Sequence, residues 1–249
     1  MKKTYSISIV SYLNTLPFQY GIEHSDIKNR IDLQLDIPSL CAQKLKNKQV
    51  DIGLVPVALI PELTEYHIIS DFCIGAVGKV DSVKLYSVVP LSKISHILLD
   101  YQSKTSVNLV KVLAKHFWKI NPQFVAAAIG YEDSVKDQTA VVVIGDRTFT
   151  RNGQYAYEYD LSEEWQKFTG LPFVFAAWIS NRNIQDTAFL AEFNSALANG
   201  VNNIEAALQS YKNPLKQFDP SDYLKNKISY GFTDEKKAAL TRFLGYLPL

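Results

Sequence analysis

Leu171-Pro-Phe-Val-Phe-Ala-Ala-Trp-Ile179 is the longest apolar run in this chain of 249 residues. A bilayer span needs ~20 apolar residues, so the run is too short to be one. Both faces of residues 173–179 are apolar, which predicts a strand covered on both sides. The chain beyond it reads as helical: residues 186–211, then 221–225, then 233–244, with Thr233 as N-cap and Gly245 as the C′ residue.

The N-terminal block reads as a sheet short of helices. Residues 6–10 form a first strand. Ile31, Leu33, Leu35 and Ile37 alternate with polar residues, the mark of a half-buried second strand. Ser39 stands as N-cap to a helix with the stripe Leu40, Cys41 and Leu45. Residues 51–55 are a short buried strand stopped by Pro56. The C-terminal helices can supply the missing cover for this sheet. Residues 90–174 carry their own strand–helix–strand pattern. It has strands at 96–100 and 141–144 and a helix at 105–117. A second helix at 160–170 shows capping-box spacing at Asp160 and Glu163 and a C′ glycine at 170. The expected fold is α/β, with a discontinuous first lobe, 1–88 plus 175–249, and an inserted second lobe, 89–174. The chain then crosses between lobes near residues 87–90 and 173–178. Such a molecule holds its ligand in the cleft between lobes.

Composition narrows the function. Twenty-six basic and 25 acidic residues leave a formal charge of +1, so no basic field attracts nucleic acid or an anionic membrane. Lys2 and Lys3 precede a run broken by Ser8, Ser11 and Asn14, and no cleavage motif follows, unlike a secretory signal. Cys41 and Cys73 sit in apolar contexts and read as buried thiols, which suggests a reduced, cytoplasmic setting. His24, His67, His96 and His116 are scattered, so no metal site is expected. Neither G-x-G-x-x-G nor G-x-S-x-G occurs, and Gly78-Lys79 lacks P-loop spacing.

What remains is a set of small polar residues at strand ends. Asn14 and Thr15 follow the first strand, and Ser82 and Ser87 belong to the strand at the first crossing. Ser103, Thr105 and Ser106 open a helix, whose free N–H groups and dipole suit a carboxylate or phosphate. Gly145 and Asp146 end the 141–144 strand, and Thr169 and Gly170 precede the second crossing. Each has a plainer reading. Ser103–Ser106 is also an ordinary cap, Asn14 a turn residue, and Asp146-Arg147 a surface ion pair. Trp165, Phe173, Phe175 and Trp178 suit a core better than a ligand platform.

Several segments together resemble one family. They are Val10-Ser-Tyr-Leu-Asn-Thr-Leu-Pro17, Val50-Asp-Ile-Gly-Leu-Val-Pro56, Ser82-Val-Lys-Leu-Tyr-Ser87, Leu99-Asp-Tyr-Gln-Ser-Lys-Thr-Ser106 and Ile144-Gly-Asp-Arg147. Asp160, Trp165, Thr169-Gly-Leu-Pro-Phe-Val-Phe-Ala176 and Trp178 continue the series. This is similar to the chorismate dehydratases of the futalosine route to menaquinone, over residues 5–180. The resemblance implies a periplasmic-binding-protein type II fold serving as a cytoplasmic enzyme, monomer or homodimer, without metal or redox cofactor. It implies chorismate as substrate and 3-[(1-carboxyvinyl)oxy]benzoate plus water as products. On it, Thr105, Ser106 and Ser103 hold one carboxylate, and Asn14 and Ser82 meet the other or the departing hydroxyl. Gly145, Asp146, Thr169 and Gly170 form the far wall. Lys104 departs from the pattern, standing where the family commonly has arginine; lysine lacks the guanidinium fork. Two other readings stay open. One is the sister enzyme of the route, which makes 1,4-dihydroxy-6-naphthoate, although residues 11–17 lack its expected Ser-Pro-x-Pro-Asn-Asp start. The other is a cytoplasmic carboxylate-binding sensor.

Overall fold

The computed structural model describes residues 4–209, 211–212 and 218–247. The chain runs β1 (Tyr5–Val10), a turn at Leu13–Thr15, α1 (Leu16–Glu23), β2 (Ile31–Asp36), α2 (Pro38–Lys46), β3 (Ile52–Pro56) and β4 (His67–Ala76). Then come β5 (Val83–Ser87), β6 (His96–Leu99), α3 (Lys104–Val112), β7 (Gln123–Ala126), β8 (Thr139–Ile144), β9 (Tyr157–Asp160) and α4 (Leu161–Thr169). Next are β10 (Phe173–Ser180), α5 (Thr187–Asn202), α6 (Ile204–Leu208), α7 (Pro220–Asp222), β11 (Ser229–Gly231) and α8 (Asp234–Leu244).

Two sheets result, ordered β11-β4-β10-β3-β1-β2 and β7-β6-β8-β5-β9. Their plan is the same. In the first, β1 lies parallel between β2 and β3, and β10 runs antiparallel between β3 and β4. In the second, β6 lies parallel between β7 and β8, and β5 runs antiparallel between β8 and β9. β5 is the strand on which the chain enters the second sheet, and β10 the strand on which it returns to the first. The expected α/β two-lobed architecture is present.

Both crossings lie earlier than the sequence suggested. Val83 pairs with Ile144, so the strand expected to end the first lobe belongs to the second sheet, and the chain crosses between Ala76 and Val83. Phe173 pairs with Ala76, so the return is complete before residue 175. A short buried strand carries no mark of which sheet it joins; only long-range pairing decides that.

Every residue of β10 is buried, as its two apolar faces required. Trp178 packs against Phe18 and Phe193 on one side of the sheet, and Phe173 against Trp165 and Phe243. These aromatics are core. Cys41 and Cys73 are free, buried thiols. The C-terminal helices do cover the first sheet. α5 crosses α1 so closely that a Cβ on Gly200 would lie 1.7 Å from Pro17 O. Only glycine permits that approach, and it seats α1 directly after the Asn14 turn.

Several local expectations change. α2 begins at Pro38 with Ile37 as its uncapped N-cap, so Ser39 lies inside the first turn. Proline suits that position because its missing N–H is an orphan there anyway. α3 ends at Val112 and widens into a π-type turn, Leu113–Trp118. Gly245 is right-handed, φ −64°, and forms no left-handed cap. The expected 186–211 helix breaks into α5 and α6, and Ser210 lies outside the described residues. Asp160 caps α4, accepting from Ser162 N at 3.1 Å and Glu163 N at 3.2 Å, and Gly170 closes it at φ 74°.

Candidate active site

The C-terminal end of β1, the end of β3 and the start of β10 face the crossing segment, the end of β8 and the first turn of α3. Between them lies a cavity with about 520 Å³ of space among its atoms, part of it open to solvent. Its polar wall residues are Tyr12, Asn14, Thr15, Ser82, Ser103 and Ser106; Gly145 and Phe175 are among the others. None of the described wall residues is charged.

The Asn14 turn is held from three directions. Thr15 Oγ1 donates to Tyr12 O at 2.8 Å, and Tyr230 Oη donates to Asn14 O at 3.0 Å. The Asp146 carboxylate accepts from Leu13 N at 3.2 and 3.3 Å. Asn14 Oδ1 is buried without a hydrogen-bond partner among the described residues. A buried carbonyl oxygen left so costs about 1–3 kcal/mol, which a ligand donor would relieve. Across the cavity, Ser82 Oγ accepts from Tyr223 Oη at 2.8 Å, and Ser82 O accepts from Gly145 N at 2.8 Å. Gly145 adopts φ +64°, and a Cβ there would lie 2.7 Å from the Tyr12 ring. Glycine at this strand end is therefore required twice over, by conformation and by contact.

Two helices from different lobes begin at the wall. Ser103 Oγ caps α3 by accepting from Ser106 N at 3.3 Å. α2 starts at the wall residue Pro38 with no side-chain cap. First-turn N–H groups and the dipole favour an anion at both places.

The structure thus brings together Asn14, Ser82, Ser103, Ser106 and Gly145. It turns four expected site residues away. Thr105 is buried, and its Oγ1 accepts from Ala58 N at 3.2 Å, joining the lobes behind the cavity. On a helix, a neighbour of Ser106 points about 100° around the axis, so the two cannot share one wall. Asp146 accepts the single N–H of Leu13 between its two oxygens, and burial pushes its carboxyl up to about 6. Thr169 donates to Trp165 O at 2.8 Å, and Gly170 is exposed, with open space where a Cβ would stand. That loop closes α4 away from the cavity.

Arg147 ignores Asp146. It binds Asp100 Oδ2 and Glu132 Oε1, each at 2.5 Å, and Asp100 is wholly buried. Gln102 Oε1 accepts from Arg147 at 3.2 Å and also from Tyr12 Oη, so this network reaches the cavity wall. Lys104 pairs with Glu62 across the lobes and offers no charge to the cavity. Sequence reasoning missed Tyr12, although it lies in the Val10–Pro17 signature, and missed Tyr223 and Tyr230. The last two come from the C-terminal segment, where no motif pointed.

Comparison with known proteins agrees with this architecture. A curated chorismate dehydratase of Thermus thermophilus is 25% identical over 199 residues, 72% of this chain and 71% of that protein. An Archaeoglobus fulgidus protein of solved structure superposes with a TM-score of 0.74 at 14% identity, covering 98% of this chain and 96% of the other. A Candida albicans gene product described as having the generic periplasmic binding protein fold scores 0.63 at 13% identity, covering 100% and 92%. The periplasmic aliphatic sulphonate binding protein of Escherichia coli scores 0.60 at 13% identity, covering 98% and 86%. These likenesses establish a two-lobed periplasmic-binding-protein fold. A sequence model of the menaquinone biosynthesis family matches residues 5–248, and the chain belongs to that family.

Proposed function

We propose that this chain is a carbon–oxygen lyase that dehydrates chorismate to 3-[(1-carboxyvinyl)oxy]benzoate. The observation that carries this reading is the uncharged interlobe cavity opened on by α2 from one lobe and α3 from the other. A dicarboxylate fits two such termini. Neutral donors also leave its carboxylates basic, where lysine or arginine would mask them. One substrate carboxylate takes the ring proton. The released electron pair completes the aromatic ring, the neighbouring C–O bond breaks, and the departing hydroxide takes up the abstracted proton and leaves as water. Asn14 and Ser82 orient the reacting groups. The cavity excludes bulk water and holds the reacting bonds in geometry.

Purified protein incubated with chorismate should release the enol-ether benzoate, followed by mass spectrometry. Asn14→Ala and Ser82→Ala should each lower kcat by ~10²–10³-fold while the thermal transition holds. Chorismate binding without turnover would replace this reading with a sensor. No response to chorismate would shift it to the sister enzyme of the route.

A further inference from the structure

We propose that Tyr223 is a positioning residue of the cavity, which fixes the direction in which Ser82 presents its hydroxyl proton. The proposal rests on the dehydration reading. Tyr223 heads the turn Tyr223–Lys227, behind the cavity wall and buried. Its Oη donates to Ser82 Oγ at 2.8 Å. A hydroxyl has one proton. With its oxygen already accepting from Tyr223, Ser82 is left to donate into the cavity.

Asn14 stands at the same cavity, and its Oδ1 is buried without a hydrogen-bond partner among the described residues. Ser82 as donor and the Asn14 oxygen as acceptor then face one ligand. That polarity matches a substrate hydroxyl, whose oxygen takes the Ser82 proton and whose own proton meets Asn14. A hydrogen bond to the hydroxyl oxygen assists its departure.

Tyr223 itself keeps its proton. Burial raises its phenol far above the ordinary value. It orients and does not titrate. The ring is fixed to hold that geometry: Phe149 of the second lobe meets it edge-on at 4.9 Å, and Phe218 lies at 5.8 Å.

The experiment is a double-mutant cycle on chorismate turnover with Tyr223→Phe and Ser82→Ala. Tyr223→Phe alone should lower kcat about 10–100-fold with an unchanged melting temperature. In the Ser82→Ala background it should cost much less, because its route runs through Ser82. Phe149→Leu, which loosens the ring and keeps the hydroxyl, should lower kcat less than Tyr223→Phe. Wild-type kcat in Tyr223→Phe, or losses that multiply independently, would overturn the proposal. If Tyr223→Phe does not fold, 3-fluorotyrosine at position 223 keeps the shape and strengthens the donor; an unchanged kcat there overturns it equally. Wild-type turnover is the control. Its absence defeats the dehydration reading, and the proposal is then read from chorismate affinity by calorimetry. Tyr223→Phe must weaken that affinity about tenfold; unchanged affinity, or no binding by the wild type, overturns the proposal.

Discussion

At the scale of single residues, Asp146 shows how a motif acid can be something other than a base. It is the acidic residue that the strand-end pattern singled out, yet the partner its two oxygens share is the single N–H of Leu13. Its work is to hold the Asn14 turn. Asparagine keeps one acceptor for that N–H, so Asp146→Asn should retain turnover within about tenfold. Loss of turnover with chorismate binding intact would make Asp146 the base in place of a substrate carboxylate. The carboxyl also has a stability signature. Burial moves it from the ordinary 3.8 to about 6, against the pull of Leu13 N–H. The folded protein then binds this proton more tightly than the unfolded chain. The stabilisation is full below about 4 and is lost as pH rises through about 6, at most roughly 2–3 kcal/mol. Denaturant titrations across that window should show wild-type stability falling relative to Asp146→Asn.

At the scale of elements, α4 and the first crossing share one carboxylate. Asp160 Oδ1 caps α4, while Oδ2 accepts from Val80 N at 3.0 Å and Asp81 N at 2.7 Å. Asp81 is left-handed, φ 60°, an unfavourable conformation for a residue with a side chain. The cap therefore steers the segment that delivers Ser82. The capping-box spacing of Asp160 was visible in the sequence; its second task was not, because Val80 and Asp81 lie some 80 positions away. Asp160→Ala should lower stability by ~2–3 kcal/mol and raise KM, measured by denaturation and steady-state kinetics. A loss of stability with unchanged KM would reduce Asp160 to a cap. β11 shows the opposite limit. Three residues pairing with β4 are too few to leave a periodicity, yet they bring Tyr230 to the Asn14 turn.

At the scale of the whole molecule, the lobes meet through specific contacts on every side of the cavity. Thr105 joins Ala58, Lys104 joins Glu62, Asp146 joins Leu13, and Tyr12 reaches Gln102. Gly145 also lies bare against the Tyr12 ring, where an added Cβ would come within 2.7 Å of it. A methyl group there meets the ring in the left-handed region, so Gly145→Ala has to push the lobes apart. It should cost ~2 kcal/mol of stability and raise KM more than kcat falls. Small-angle scattering should show a more open molecule; wild-type KM with unchanged scattering would refute the closure argument.

Periodicity and punctuation alone determined much of this protein. The doubly apolar 173–179 run and the caps Asp160 and Thr233 are local signals, because burial and helix termini act over a few residues; alternation in residues 31–37 found the strand but not its buried face, since Leu35 and Ile37 are exposed and Asp36 is buried. They led to an α/β chain of two lobes, and the strand-end hydroxyls led to Asn14, Ser82, Ser103 and Ser106. Tertiary structure decided the rest. Which sheet Val83–Ser87 joins, where Thr105 and Asp146 point, and that Tyr223 stands behind Ser82 all depend on contacts between distant segments. A hydroxyl or carboxylate looks the same in sequence whether it faces a cavity or ties two lobes together, because its role is set by the partner that folding brings to it.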